Sequence, residues 1–264
     1  MNHGPHAKAF QRPVAHIIYT RFNLRFGGET FSNTFNDAWM KERIALFKAH
    51  TMPSVLGQVE KNFSWVILFD EERSLPYADF LDEIDGAPNC FVAFADGVHD
   101  MVPVLRQHIA SHAPAASILA STRLDSDDVL HPLFTQDVQA AIDPDAHSGY
   151  IVDFPFTETV DVMSGQRELK YFHSFPSPFY TYIEANSDEP HIGVYNHTKI
   201  PDEIPVRNLN LVRTTTIVHG GNLLNQYKGF WTRLAMVVRR KPARAPLYCW
   251  MHAKHHWRSA PAEA

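Results

Sequence analysis

The chain has 264 residues, of which 45% are hydrophobic and 12% are aromatic, a composition that excludes a disordered protein. Its formal net charge of −5 hides two unlike regions, because residues 1–203 carry 14 basic and 28 acidic side chains while residues 204–264 carry 10 basic and 1 acidic. The length suits a single folded domain, which we predict over residues 1–240. We predict a basic, aromatic tail over residues 241–264.

Several classes of protein are excluded by what the sequence lacks. Two cysteines rule out a disulfide framework and a four-cysteine zinc site. No apolar run reaches the length of a transmembrane helix, and the first residues lack the apolar stretch of a signal peptide. We therefore expect a cytoplasmic protein.

The first half of the chain alternates between strand and helix patterns. Apolar, β-branched runs predict strands over residues 14–20, 64–70, 91–96 and 117–125. Helical spacing predicts helices over residues 36–49, 99–111 and 130–142. Such alternation predicts an α/β sandwich with a mostly parallel central sheet.

The second half is less regular. Short strands around proline-containing turns are expected between residues 149 and 184, and a further strand over residues 211–222 contains His219 and a Gly-Gly pair. Apolar residues then recur at helical spacing from Leu223 to Val238. This pattern predicts an amphipathic helix, and with it a basic C-terminal helical segment.

Polar side chains end two of the predicted strands, at the place where open parallel sheets bind ligands. Tyr19, Thr20, Arg21 and Asn23 end the first strand and offer groups that suit a nucleotide base and a phosphate. Asp70 ends the second strand and suits either hydrogen bonding to a ribose or base or the closing of a turn. A plain surface loop is the alternative for the first group.

The segment TRLDSDDVLHP places three carboxylates, those of Asp125, Asp127 and Asp128, within four residues. Carboxylates in such a cluster repel one another unless a cation or water screens them, and their oxygens suit Mg²⁺ or Mn²⁺. The alternative is a solvated loop in which Asp128 caps a helix. His219 adds an imidazole, which favours Mn²⁺ somewhat over Mg²⁺, although a purely structural histidine is also compatible with the sequence.

Five segments in the same order, over about residues 14–230, resemble a known family. They are HIIYTRFNLR, the W-xxx-R-xx-LF spacing from Trp39 to Phe47, the PSVLGQ–FSWVILFD unit, TRLDSDD and IVHGGN. Together they resemble the bacterial "putative rhamnosyltransferase" family of GT-A nucleotide-sugar glycosyltransferases. The resemblance implies a GT-A-like, Rossmann-like α/β/α sandwich, a nucleoside-diphosphate-sugar donor and a glycan or lipid-linked acceptor.

The resemblance also implies roles for single residues. Tyr19, Thr20 and Arg21 are expected beside the nucleotide, with Asp70 toward the base or ribose and Arg123 near the nucleotide or the carboxylates. Asp125 and Asp127 match the DxD pair, in which Asp127 is expected to bind Mn²⁺ or Mg²⁺ directly. His219 matches a late histidine that completes the metal site.

The implied reaction is metal-assisted departure of the diphosphate, followed by attack of an acceptor hydroxyl. An inverting enzyme needs a carboxylate base, and the acidic candidates are Asp153, Glu158, Asp161, Glu184, Asp188 and Glu189. We favour Glu184 because it follows the aromatic run SPFYTYI, which is suited to line an acceptor cleft. A plain surface acid is the alternative. The ED-type acceptor motif of many inverting relatives is not evident, which leaves inversion or retention open.

Two other functions are compatible with the same residues: a metal-dependent phosphohydrolase, and a non-catalytic sugar-nucleotide-binding scaffold. The basic tail has two expected roles, which are peripheral contact with an anionic membrane or a positive lid over the donor diphosphate. A solvated helix end without either role is the alternative. Its cations are interleaved with Trp250 and Trp257. Nucleic acid is not expected as a partner, since the acidic body repels a polyanion.

Overall fold

The computed structural model describes residues 14–25, 36–143, 149–172, 175–187 and 200–219. The strands are β1 (Val14–Arg21), β2 (Ser64–Phe69), β3 (Cys90–Phe94), β4 (Ile118–Arg123), β5 (Val129–Leu130), β6 (Tyr150–Asp153), β7 (Phe156–Asp161), β8 (Arg167–Tyr171), β9 (Thr181–Ala185), β10 (Val206–Asn208) and β11 (Val212–Val218). The α-helices are α1 (Asp37–Leu46), α2 (Met52–Leu56), α3 (Glu71–Ser74), α4 (Ala78–Gly86), α5 (Met101–His112) and α6 (Phe134–Ala140).

Two sheets organise these elements. The larger has seven strands in the order β10-β6-β9-β4-β1-β2-β3, and β9 alone runs antiparallel to its neighbours β4 and β6. The smaller has four strands in the order β5-β11-β7-β8. The α/β architecture with a mostly parallel central sheet, predicted from the sequence, is confirmed. The predicted C-terminal helix, the tail and the boundary at residue 240 lie outside the described residues.

The large sheet is covered by helices on both faces, which explains why its central strands read as unbroken apolar runs. All six residues of β2 are buried. On one face, Ile18 belongs to a core cluster with Phe47 and Phe80. On the other face, Ile17 packs in a cluster with Leu105 of α5. The alternation of side chains along β1 therefore supplies two separate cores.

Two parts of the helical prediction are corrected by the structure. Residues 71–86 contain α3 and α4, which were not predicted. Phe80 and Ile84 lie one helical turn apart on the buried face of α4, and this spacing was the missed signal. Parallel neighbours such as β2 and β3 need a crossover connection, and these helices provide it. The helix predicted from residue 130 begins only at Phe134, because Val129 and Leu130 pair with β11.

The first predicted helix is longer than expected. After α1 the chain makes a π-helical turn (Phe47–Thr51) and continues into α2. Pro53 lies in the first turn of α2 and has no N–H to donate to the π-helical turn before it. The helical stretch packs Phe47 and Val55 into the core, which anchors α1 beside the sheet.

No helix within the described part of the chain is both long and apolar enough to cross a membrane.

The carboxyl ends of β1, β2, β4 and β6 meet at one edge of the large sheet. The register of β1 places Tyr19 opposite Arg123 of β4 and Arg21 opposite Leu68 of β2. The small sheet meets this edge through β11, because the Ile217 N–H donates a hydrogen bond to Asp128 Oδ1 at 3.2 Å. Residues far apart in the sequence therefore converge at this edge.

Candidate active site

The acidic segment after β4 forms a turn held by the backbone. Leu124 N–H donates to the Tyr19 carbonyl at 3.0 Å, and Asp128 N–H donates to the Asp125 carbonyl at 3.2 Å. Leu124 is fully buried, whereas the Asp125 side chain is 40% exposed and that of Asp127 is 13% exposed. The three carboxylates therefore occupy different environments and have different partners.

Asp127 lies between an imidazole and a guanidinium. Its Oδ2 is 3.1 Å from His219 Nε2 and 2.6 Å from Arg43 Nη1. Burial acts to raise the pKa of Asp127, but the His219 hydrogen bond and the charge of Arg43 outweigh it, so the pKa lies below its usual value. Asp127 is therefore held as a carboxylate, and the predicted proximity of Asp127 and His219 is present in the structure.

Helix α1 contributes charged side chains to both partners of this contact. Arg43 is buried, its guanidinium carbon lies 5.0 Å from the centre of the Trp39 ring, and it contacts Asp127. Its neighbour Glu42 places Oε1 3.7 Å from His219 Nδ1. Arg43 is the arginine of the W-xxx-R-xx-LF spacing, and no role was predicted for it. That spacing was the signal in the sequence that could have identified Arg43 as a site residue.

Asp125 faces two other arginines. Its Oδ1 is 3.6 Å from Arg123 Nε and 3.9 Å from Arg21 Nη2. The charge of Asp125 raises the pKa of Arg123, and the nearby charges of Arg123, Arg21 and Asp125 also act on the Tyr19 hydroxyl. These separations are longer than a direct hydrogen bond. Asp125 and the two guanidinium groups are thus clustered but not locked together.

Asp128 is a structural residue of the turn. It is 5% exposed and accepts the Ile217 N–H that joins the two sheets. Burial raises its pKa well above the usual value, and the charges of Asp127 and Asp125 add to the increase. The alternative that Asp128 caps a helix is wrong, since a strand follows it.

Two residues predicted beside the nucleotide are part of the core. Thr20 is fully buried, and its Oγ1 accepts a hydrogen bond from Trp65 Nε1 at 3.0 Å. Tyr19 is 4% exposed, and burial raises its pKa. The Thr20 side chain therefore stabilises the end of β1 by bonding to Trp65 in the core. Tyr19 lies close to the cluster of Arg21, Arg123 and Asp125.

Asn23 and Asp70 bind one another at the end of β2. Asn23 Oδ1 accepts the Asp70 N–H at 2.9 Å, and Asn23 Nδ2 donates to Ser74 Oγ at 3.0 Å. Asp70 caps α3 by accepting the Arg73 N–H at 3.2 Å, and it pairs with Arg25 Nε at 2.5 Å. Of the two roles considered for Asp70, closing a turn is the one that the structure shows.

Glu184 is not brought to this edge. It pairs with Leu119 near the start of β4, roughly 20 Å along the strand from Asp125, at about 3.3 Å per residue. Because β9 is antiparallel to β4, residues before Thr181, rather than Glu184 after it, lie near the carboxylates. The structure therefore does not bring Glu184, the favoured base, to the carboxylates.

Asp153 is the acid that ends β6 at the site edge. It is 1% exposed and accepts hydrogen bonds from Ser177 N at 3.0 and 3.1 Å and from Ser177 Oγ at 2.6 Å. Burial raises its pKa. These bonds tie the oxygens of Asp153 to Ser177, which lies in the connection between β8 and β9. Of the other base candidates, Asp188 and Glu189 lie outside the described residues.

The residues partly fit the predicted metal. Among the described residues no three His, Cys, Asp or Glu side chains are grouped to hold an ion, so the predicted set of Asp125, Asp127 and His219 is not assembled. Asp127 Oδ2 and His219 Nε2 nevertheless lie 3.1 Å apart. Two protein donors suit a hard cation that takes its other ligands from substrate phosphates. Glu42 Oε1 lies 3.7 Å from His219 Nδ1, which is longer than the hydrogen bond that usually supports a metal-binding histidine.

Among solved structures, the chain is similar to S. aureus TarS residues 1–349 in complex with UDP-GlcNAc, at 13% identity over 78% of this chain and 59% of that one, with a TM-score of 0.43. The TarS complex with UDP matches at 14% identity over 77% and 60%, with a TM-score of 0.38. A 4-diphosphocytidyl-2C-methyl-D-erythritol synthase from Anaerococcus prevotii matches at 12% identity over 67% and 70%, with a TM-score of 0.30. The chain thus spans about three fifths of the TarS structures.

No curated protein matches the chain. The family described as "Putative rhamnosyl transferase" matches residues 24–229, which include Arg43, the acidic turn and His219. This match covers more than half of the sequence and agrees with the resemblance seen in its motifs. The chain therefore belongs to the "Putative rhamnosyl transferase" family.

Proposed function

We propose that the chain transfers a sugar from a nucleoside-diphosphate sugar to an acceptor hydroxyl, with Mn²⁺ or Mg²⁺ as cofactor. The observation that carries the proposal is the convergence of Asp127 Oδ2 and His219 Nε2, 3.1 Å apart although 92 residues separate them in the sequence. The convergence occurs at the carboxyl edge of the sheet, where this class of fold binds its ligands. Membership of a sugar-transferase family supports the same reaction.

Asp127 and His219 are the residues that would hold the cation. A divalent cation there supplies electrostatic stabilisation of the departing diphosphate. Arg43 keeps Asp127 ionised and fixed, and Glu42 faces the other nitrogen of the His219 ring. Helix α1 therefore orients Asp127 before the substrate arrives, which lowers the cost of assembling the site.

Arg21 and Arg123 are the phosphate-binding groups of the proposal. Their side chains are 28% and 20% exposed, and Asp125 beside them is 40% exposed. Because their contacts with Asp125 are long, the guanidinium groups retain donors for diphosphate oxygens. Asp125 is then available for a donor hydroxyl, which separates its role from that of Asp127.

The acceptor is proposed to be a glycan or a lipid-linked sugar. Neither Glu184, at the opposite edge of the sheet, nor Asp153, with its oxygens bonded to Ser177, is placed to deprotonate an acceptor hydroxyl. We therefore assign no base. The basic residues that would meet an anionic membrane lie outside the described residues, and that contact stays a prediction.

The test is a thermal-shift screen of UDP-, GDP- and dTDP-linked sugars, rhamnose donors included, each with and without Mn²⁺. A ligand that binds only the folded protein raises its melting temperature. We expect one nucleotide to stabilise the protein, and Mn²⁺ to increase that effect. Stabilisation by no nucleotide sugar would contradict the proposal, and phosphate release without any sugar acceptor would favour the phosphohydrolase instead.

A further inference from the structure

Arg43 places a permanent positive charge at the proposed cation site. Its Nη1 is 2.6 Å from Asp127 Oδ2, and the two side chains are 9% and 13% exposed. A guanidinium does not lose its proton at any physiological pH. The negative charge of Asp127 is therefore already balanced in the protein without ligands.

A divalent cation at Asp127 and His219 would lie within a few ångströms of this guanidinium. Charges so close together and so little exposed are weakly screened by solvent and salt. Within the part of the chain that the structure describes, two protein donors converge there, a carboxylate and an imidazole. The free protein thus offers a cation few ligands, a compensated carboxylate and a repelling neighbour.

A bound diphosphate changes that balance, because it adds several negative charges and oxygen ligands on the open side of the site. Arg21 and Arg123 are placed to bind those oxygens, as argued above. The cation then gains both ligands and charge that the protein alone does not supply. Coupling between two ligands is reciprocal, so the cation must strengthen nucleotide binding by the same factor.

We propose that Arg43 makes binding of the divalent cation conditional on a bound nucleoside diphosphate. The inference rests on the proposed function, since it concerns the same cation at Asp127 and His219. Arg43 acts here as a positioning residue with a second effect: it fixes the carboxylate and also keeps the free site from taking up a cation. A purely orienting arginine has the opposite effect on the free protein, because its removal weakens cation binding.

The experiment measures Mn²⁺ binding to the full chain by water-proton relaxation, alone and with saturating UDP, GDP or dTDP. For the unaltered protein we expect Mn²⁺ affinity to rise at least about 10-fold with the nucleotide that stabilises it. Arg43→Met should raise the Mn²⁺ affinity of the free protein about 10-fold and reduce the coupling. Arg43→Lys keeps the charge and should behave as the unaltered protein does.

Lys41→Met is the matched control. It removes the same charge from the same helix, but Lys41 is 70% exposed and pairs with Asp37 rather than with Asp127. We expect no change in Mn²⁺ binding. An equal change in Lys41→Met and Arg43→Met would overturn the inference, because the effect would then belong to the overall charge.

Two further results would also overturn it. One is equal Mn²⁺ affinity of the unaltered protein with and without nucleotide, a measurement that needs no variant and holds even if Arg43→Met does not fold. The other is weaker Mn²⁺ binding to a folded Arg43→Met protein. Either leaves the proposed function intact. The absence of Mn²⁺ binding with every nucleotide would overturn both.

Discussion

Two aspartates end neighbouring regions of the same sheet, each beside an arginine, and they differ in what surrounds them. Asp70, at the end of β2, accepts a backbone N–H of α3 and offers its own backbone N–H to Asn23. Asp127, after β4, contacts the ionisable side chains of Arg43 and His219. The first arrangement completes backbone hydrogen bonding, and the second gathers reactive groups.

This contrast separates a structural acid from a functional one when both carry the same charge and lie beside an arginine. A carboxylate that caps a helix has its oxygens committed to local backbone groups. A carboxylate that holds an imidazole and a guanidinium from distant segments has been brought there at a cost in desolvation, which local folding does not require. We therefore expect substitutions at the two sites to affect different measurements.

Asp127→Asn should have the largest effect. It removes the negative charge that the proposed cation and Arg43 share, and we expect the rate of sugar transfer to fall at least about 100-fold. The uncompensated Arg43 charge should also lower the free energy of unfolding by about 3 kcal/mol. Initial rates well below the melting temperature, with the donor found by thermal shift, separate the two effects.

Asp70→Asn is the matched comparison for that experiment. It should keep transfer within about 10-fold of the unaltered rate, since the residue lies outside the proposed chemistry. Equal losses of activity in the two variants would contradict the distinction between the two ends of the sheet.

Asp70→Ala should act on stability. It deletes the cap of α3 and leaves the buried end of β2 without its carboxylate, so we expect the free energy of unfolding to fall by about 2 kcal/mol. Urea denaturation at neutral pH measures the change. Arg25→Met is the control: its side chain is 47% exposed, and a much smaller loss is expected because solvent screens that pair. A larger loss in Arg25→Met would show that the ion pair, not the cap, holds this end.

The smallest effect concerns His16, a fully buried residue near the N-terminal end of β1. Its Nε2 is 3.1 Å from Thr122 Oγ1, and burial lowers the pKa of His16 to about 3. Because the unfolded chain binds this proton near pH 6.5, the stability contributed by neutral His16 is lost progressively as pH falls from about 6.5 toward 3. We expect the loss to reach about 1 kcal/mol between pH 6 and 5.

The measurement compares urea denaturation of the unaltered protein and His16→Gln across that range. The variant should lose this part of the pH dependence, while other groups contribute equally to both proteins. Parallel stability curves would contradict a neutral, buried His16. A weaker dependence of the free energy of unfolding on pH in His16→Gln would confirm that His16 is neutral in the folded protein.

The large sheet was predictable because its strands are apolar on both faces. Val14–Arg21 and Ser64–Phe69 differ from the predicted ranges by a single residue at one end. The small sheet was less predictable, since β5 has only two residues and β8 is almost entirely exposed. Strands that are very short or that bury few side chains carry a weak pattern in the sequence.

The candidate site was predictable in part for the same reason. Asp127 and His219 follow recognisable strands, and their motifs singled them out. Arg43 was not assigned, because its role depends on the packing of α1 against the turn after β4. Glu184 was misplaced because the antiparallel direction of β9, which carries it away from the edge, is not written in the local sequence.

The hydrogen bond between Ile217 and Asp128 has a consequence for biosynthesis. It joins residues 89 positions apart, and β11 also carries His219 to Asp127. In a growing chain that still lacks β11, Arg21, Arg43 and Arg123 are already present. The acidic turn is not yet covered by β11 and is in contact with water. Docking of β11 therefore buries Asp128 and brings His219 to Asp127 in one step. The proposed cation site is complete only when this strand has been added.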